Sequence, residues 1–242
     1  MDMTPVVFVV DDDVSIRESL ELLIQSAGWR SETFASAQSF LQRPRVHAPS
    51  CLVLDVRLPD LDGLDLQDRV AADRVDMPII FITGFGDVPM TVRAMKGGAV
   101  EFLTKPFSDE ALLSAIRQAI ERSASTIDRA AEFQSVRDDY AALSRREREV
   151  MSRVVAGLLN KQIAAELGIS EITVKAHRGR VMRKMHADSL AELVTMAAKI
   201  GLRPDADVES LRHQGIMDRR SGAAHPERGA SVTEGEPAMR SL

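Results

Sequence analysis

Apolar residues gather in four short, nearly continuous runs: Val6–Val10, Cys51–Leu54, Ile79–Ile82 and Val100–Leu103, separated by stretches of helical periodicity. Runs of this length without polar alternation mark strands buried on both faces, as in a parallel sheet covered by helices. The front half of the chain therefore reads as a doubly wound α/β domain. Such sheets bind ligands beyond the carboxyl ends of their strands, where the strand order reverses. The polar residues in those places are Asp11 and Asp12, Asp55, Thr83 and Lys105.

These side chains make a coherent set. Asp11, Asp12 and Asp55 supply hard oxygen ligands of the kind Mg²⁺ takes, and a cation would offset the repulsion among them. Asp55 stands alone after its strand, which makes it the natural nucleophile for an aspartyl phosphate. Lys105 can reach phosphoryl oxygens as a mobile point charge, and Thr83 can donate a hydrogen bond to one of them. Phosphoryl transfer asks mainly for positioning and charge stabilisation, so the set suffices for a phosphoryl acceptor. Asp13 is expected to cap the helix that follows.

The rear of the chain has a different pattern. Ser144 with Glu147 opens one helix through about Ala156, Asn160 can cap a second over 161–167, and Gly168 closes that one. Ser170 can cap a third, roughly Glu171–Met185. Ser189 with Glu192 repeats the capping-box spacing before a fourth that stops near Gly201. In the third, Ile172, Val174, Val181, Met182 and Met185 can face a core while Lys175, Arg178, Arg180, Arg183 and Lys184 point outward. A short helix, a glycine turn and a longer basic helix follow the helix-turn-helix plan, whose second helix enters the DNA major groove.

Charge sharpens the division. The chain's net −5 conceals a front segment, 1–122, with 12 Lys and Arg against 19 Asp and Glu (−7), and a rear segment, 143–201, with 11 against 6 (+5). A basic module of that kind is the electrostatic footprint of a phosphate-backbone binder.

The motifs resemble known families throughout 1–201. The pair Asp11-Asp12, the stretch Asp55-Val-Arg-Leu-Pro59-Asp-Leu-Asp-Gly63, Thr83-Gly84 and Lys105-Pro106 are similar to a response-regulator receiver domain. Leu143-Ser-Arg-Arg-Glu-Arg-Glu-Val150, Asn160-Lys161, and Ser170-x-x-Thr173-Val174-Lys175-x-His177 through Lys184-Met185 resemble a LuxR/NarL-type DNA-binding domain. Together they resemble the FixJ subfamily of response regulators.

That resemblance implies a flavodoxin-like receiver with a five-stranded parallel sheet at 1–122 and an all-α helix-turn-helix domain at 143–201; the linker between them, 123–142, lies in a stretch with no Pro or Gly between Phe107 and Leu143 and is expected to be helical. Residues 202–242, rich in charge, Gly, Pro and Ser, would form a disordered tail. It also implies that Asp55 accepts the phosphoryl group, with Asp12 binding Mg²⁺ directly, Asp11 mainly through water and Arg57 through its backbone carbonyl. Lys105-Pro106 would be a cis peptide. Phe102 would rotate in concert with Thr83 as the switch, and Val92, Lys96 and Phe102 would form a dimer face. For DNA, Lys175 and Ala176 are placed for base contacts and Lys161, Thr173, Arg178 and Arg180 for phosphates, with His177 packing inside. Gly179 departs from relatives that carry a contacting Lys. The partners implied are a sensor histidine kinase, double-stranded promoter DNA, RNA polymerase and a second copy of the chain.

Two rivals are weaker. A hydrolase working through an aspartyl phosphate would resemble its kind in having an Asp two residues after the nucleophile, and Arg57 stands there. A constitutive DNA binder whose receiver only dimerises would show a broken pocket, and this one is complete. The one cysteine, Cys51, permits no intrachain disulfide. The N-terminus lacks a signal-peptide pattern and no run reaches the ~18 apolar residues of a membrane span, so a cytoplasmic protein is expected.

Overall fold

The computed structural model describes residues 4–202; all of the expected tail beyond Leu202 lies outside the described residues. These fall into two compact units divided between Gln134 and Ser135.

The first unit alternates β1 (Val6–Val10), α1 (Val14–Ser26), β2 (Arg30–Phe34), α2 (Ala37–Leu41), β3 (Ser50–Asp55), α3 (Gly63–Asp73), β4 (Ile79–Thr83), α4 (Val88–Lys96) and β5 (Glu101–Thr104), then enters α5 (Asp109–Ala141). All strand pairs are parallel, in the order β2-β1-β3-β4-β5. The continuous apolar runs now have a cause. Successive side chains alternate between faces: Val6, Phe8, Val10, Leu52, Leu54 and Phe81 pack under α2, α3 and α4, while Val7, Val9, Cys51, Val53, Ile80 and Ile82 pack under α1 and the first half of α5. Both faces are covered, so every position in β1, β3 and β4 is buried.

Strand order reverses between β1 and β3, with Val10 in register with Leu54, Asp55 with Ile82, and Thr83 with Thr104. The ends of four strands are thereby aligned along one rim of the sheet. Gly63 keeps that rim tight. A Cβ there would fall 2.6 Å from the Asp55 carbonyl oxygen, so only glycine lets α3 begin against the end of β3.

The second unit holds the end of α5, then α6 (Arg145–Val155), α7 (Asn160–Leu167), α8 (Glu171–Lys184) and α9 (Leu190–Lys199). Val150, Val154, Ile163, Val174, Val181, Met185 and Leu193 form its core, with Val136 of α5. Ser144 and Glu147 make the expected capping box at α6. Three details differ from the sequence reading. Asn160 is the first helical residue of α7, preceded by Leu159 as cap, whose N–H donates to Gln162 Oε1 (2.8 Å). Glu192 accepts from the Asp188 N–H (2.9 Å), one residue before the Ser189 cap. Ile172, expected in the core, is 80% exposed.

Candidate functional site

Asp11, Asp12, Asp55, Arg57, Thr83 and Lys105 line one cavity at the carboxyl rim of the sheet, together with Asp13, Gly84 and Phe85. Asp11 follows β1, Asp55 ends β3, Thr83 ends β4 and Lys105 follows β5, so each strand delivers one functional group. Asp11 is fully buried, Asp55 nearly so and Asp12 exposed. Lys105 Nζ donates to Asp11 Oδ2 (2.7 Å) and to Asp55 Oδ2 (2.9 Å). Each carboxylate's other oxygen accepts a backbone N–H: Asp13 to Asp11 Oδ1 (2.9 Å) and Arg57 to Asp55 Oδ1 (3.2 Å). The Lys105-Pro106 peptide is cis.

The electrostatics follow from that crowding. Burial pushes the Asp11 carboxyl above its ordinary range, and the hydrogen bond from Lys105 only partly offsets it. Burial opposes the charge on Lys105 too, but hydrogen bonds to Asp11 and Asp55 outweigh it and hold the ammonium pKa above the usual value. Two carboxylates thus share one ammonium, with Asp12 beside them. Asp11, Asp12 and Asp55 each offer an oxygen within 4.8 Å of the others, an all-oxygen donor set that could hold a hard divalent cation.

Several neighbours were not legible as parts of the site. Arg17 on α1 donates through Nη1 to the carbonyls of both Asp11 (2.7 Å) and Asp12 (2.9 Å), clamping the acidic loop. The Asp60 carboxylate accepts from the Ala37 and Gln38 N–H groups (3.2 and 2.8 Å), tying the loop after Asp55 to the start of α2. The Arg57 guanidinium lies 4.8 Å over the exposed Phe85 ring. Asp13 caps α1 as expected, accepting from Ser15 (2.8 Å). The Thr83 hydroxyl accepts from the Phe85 N–H (3.2 Å). Phe102 is half-buried beside Phe81, and a Cβ on Gly86 would meet both Phe102 and Thr83, so the β4–α4 loop touches the two expected switch residues.

In the second unit, Lys161, Lys175, Ala176 and Arg180 are exposed. Thr173 is half-buried with its hydroxyl 2.8 Å from that of Ser170, and half-buried Arg178 donates to Asn160 Oδ1 (3.3 Å). His177 is half-buried, with Nδ1 3.4 Å from Arg180 Nη1. Lys184 does not simply face solvent: it pairs with buried Glu147 across α6 and α8 (2.8 Å).

Comparison with known proteins agrees with both halves. Residues 7–117 match the response regulator receiver domain and 141–197 the bacterial regulatory proteins of the luxR family. The chain belongs to the two-component response regulators of the FixJ type, a receiver followed by a LuxR-type DNA-binding domain. Among its relatives, Nodulation protein W of Bradyrhizobium diazoefficiens is 52% identical over 197 residues, 81% of this chain and 87% of that protein. FixJ of the same organism is 44% identical over 199 residues, 82% and 97% of the two chains. The solved response regulator StyR is 47% identical with a TM-score of 0.74, covering 81% of this chain and 99% of that one. This is a family of transcription regulators rather than of classical enzymes, with a sensor kinase as the partner implied by the receiver and DNA by the LuxR-type domain. Among the described residues no helix is long and apolar enough to cross a membrane.

Proposed function

We propose that the chain is a cytoplasmic, phosphorylation-gated transcription regulator in which Asp55 takes a phosphoryl group from a sensor kinase histidine. The observation that carries this is the aligned pair of contacts from Lys105 to Asp11 and Asp55 inside a cavity that also holds Asp12 and Thr83. An Asp55 carboxylate oxygen attacks phosphorus, the P–N bond to the kinase imidazole breaks, and the imidazole leaves with the bond pair and takes up a proton. Lys105 shifts toward the new phosphoryl oxygens, and Thr83 donates its hydroxyl proton to one of them. Asp11, Asp12, Asp55 and the Arg57 carbonyl would hold Mg²⁺, which supplies charge neutralisation at the phosphoryl group. Turnover of the acyl phosphate is this same pocket's own reaction.

The signal leaves through Thr83 and Phe102. Val88, Val92 and Met95 form an exposed apolar stripe on α4, flanked by exposed Lys96 and, on the edge strand β5, Glu101. Two copies related by a two-fold axis can bury that stripe and pair Lys96 with Glu101, which would bring two DNA-binding domains to paired half-sites and present them to RNA polymerase. Lys175 and Ala176 then contact bases, and Lys161, Thr173, Arg178 and Arg180 contact phosphates.

The test is a phosphoryl donor with Mg²⁺, read by sedimentation and by affinity for duplexes selected from a random pool. Donor-dependent dimerisation with tighter specific binding is expected; unchanged mass and affinity would establish the constitutive reading. Two neighbours should tune the chemistry. Arg17→Ala removes two hydrogen bonds from a charged donor, and is expected to weaken Mg²⁺ binding about 5-fold by titration calorimetry. Phe85→Ala frees Arg57 and opens the pocket mouth to water, and is expected to shorten the life of phosphorylated Asp55 roughly 3-fold, read as phosphate release after donor removal.

A further inference from the structure

Ile172 is the most exposed large apolar side chain among the described residues, at 80%, and it takes no part in the core of its unit. It sits in the first turn of α8, two residues after the Ser170 cap. Ile172, Lys175, Ala176 and Gly179 stand at i, i+3, i+4 and i+7, so they share one helix face, and all four are exposed. The profile of that face is uneven. Ala176 is small, and at Gly179 an added Cβ would meet nothing within 4 Å, so the helix surface is low there while Ile172 projects at its leading end. Lys175 stands one turn from Ile172 and exposed Arg180 and Arg183 continue the positive charge along the helix, while Glu171, also exposed, precedes Ile172 in the first turn.

A projecting isoleucine on a helix that carries Lys175, Arg180 and Arg183 matches one kind of surface in particular. The major groove is walled by phosphates, and on its floor the thymine C5-methyl is the one apolar group that a base edge presents. We infer that Ile172 is a specificity-determining residue that packs on a thymine methyl at the edge of each half-site. This rests on the reading that α8 enters the major groove, and deepens it: the cations position, Lys175 reads a polar edge, and Ile172 selects T.

The experiment uses the full-length chain with phosphoryl donor and Mg²⁺. Bound duplexes are selected from a random pool, and each thymine of the selected site is then replaced by deoxyuridine, which deletes only the methyl. Burying one methyl is worth ~0.8 kcal/mol, about 4-fold in affinity. The native protein is expected to lose about that factor at one thymine per half-site. Ile172→Ala should bind the thymine and deoxyuridine duplexes equally, and Ile172→Val should keep part of the difference. At such an exposed position neither variant threatens the fold. If selection yields a sequence that depends on Lys175 but no thymine loses its methyl effect in Ile172→Ala, the inference is overturned and the groove reading stands. If no sequence is selected, or Lys175→Ala leaves the selected sequence unchanged, α8 does not read the groove and both fall. If Ile172→Ala instead abolishes dimerisation and leaves the methyl effect intact, Ile172 belongs to a protein interface and the inference is overturned.

Discussion

Asp55→Asn is expected to abolish phosphoryl incorporation and, with it, donor-dependent dimerisation and DNA binding, while leaving the receiver folded. The amide keeps the shape of the carboxylate, but its single oxygen can keep only one of the two contacts, from the Arg57 N–H to Oδ1 (3.2 Å) or from Lys105 to Oδ2 (2.9 Å). What it lacks is the nucleophilic oxygen. It also removes one of the two carboxylates that share the Lys105 ammonium, and with it the Asp55 charge that adds to the burial chiefly responsible for raising the Asp11 pKa. The metal-free variant should therefore be as stable as the native receiver or more so, a charge conflict that function imposes and the fold tolerates. Trp29, the one tryptophan, is half-buried against the receiver core, so its fluorescence in urea follows that unit. Phosphorylation persisting in the variant would place the acceptor elsewhere; a marked loss of stability would mean that the Lys105 contact to Asp55 is structural glue.

Much of this site could be read from the chain because the fold makes it periodic. A strand buried on both faces writes itself as an unbroken apolar run, and its end is the first polar residue, which is where Asp11, Asp55 and Thr83 stand; Lys105 comes one residue past Thr104, after the partly exposed edge strand β5, whose run is broken by Glu101. β2 escaped that logic: Arg30–Phe34 lies at the edge of the sheet, is partly exposed and carries Arg, Ser, Glu and Thr, so the resemblance alone implied a fifth strand. Arg17 and Phe85 escaped for another reason. Each acts only because the chain folds its side chain back over the rim: Arg17 from α1 onto carbonyls five and six residues earlier, and Phe85 from the β4–α4 loop onto Arg57, 28 residues earlier.

On α8 the amphipathic reading erred at one residue, and geometry explains it. Ile172 and Val174 are two positions apart, about 200° around a helix, so they cannot share a buried face. Val174, Val181 and Met185 took the core side, leaving Ile172 with Lys175 and Ala176. Capping motifs were similarly sound in kind and loose in detail. Ser144 and Glu147 close a full box, whereas Glu192, at the same spacing from Ser189, reaches back to Asp188 instead.

The largest electrostatic contribution to stability in the DNA-binding unit should come from Glu147, which the sequence marks only as a capping residue. Its Oε2 accepts from Lys184 Nζ (2.8 Å) and from the Ser144 N–H (2.9 Å), and these hold its pKa at about 2 instead of the ordinary 4.5. A carboxyl with a lowered folded pKa adds stability that is complete above the unfolded value and is lost as pH falls from about 4.5 toward about 2. The shift alone would amount to ~3 kcal/mol, but Lys184 is 42% exposed and water screens the pair, so ~2 kcal/mol is expected. Glu147→Gln should cost that much at pH 7, and the gap from the native protein should close progressively below pH 4.5. Far-UV ellipticity in urea follows both units and Trp29 follows the receiver, so the transition present in the first signal and absent from the second belongs to the DNA-binding unit. A gap of equal size at pH 7 and pH 3 would show that packing, not the charge on Glu147, joins α6 to α8.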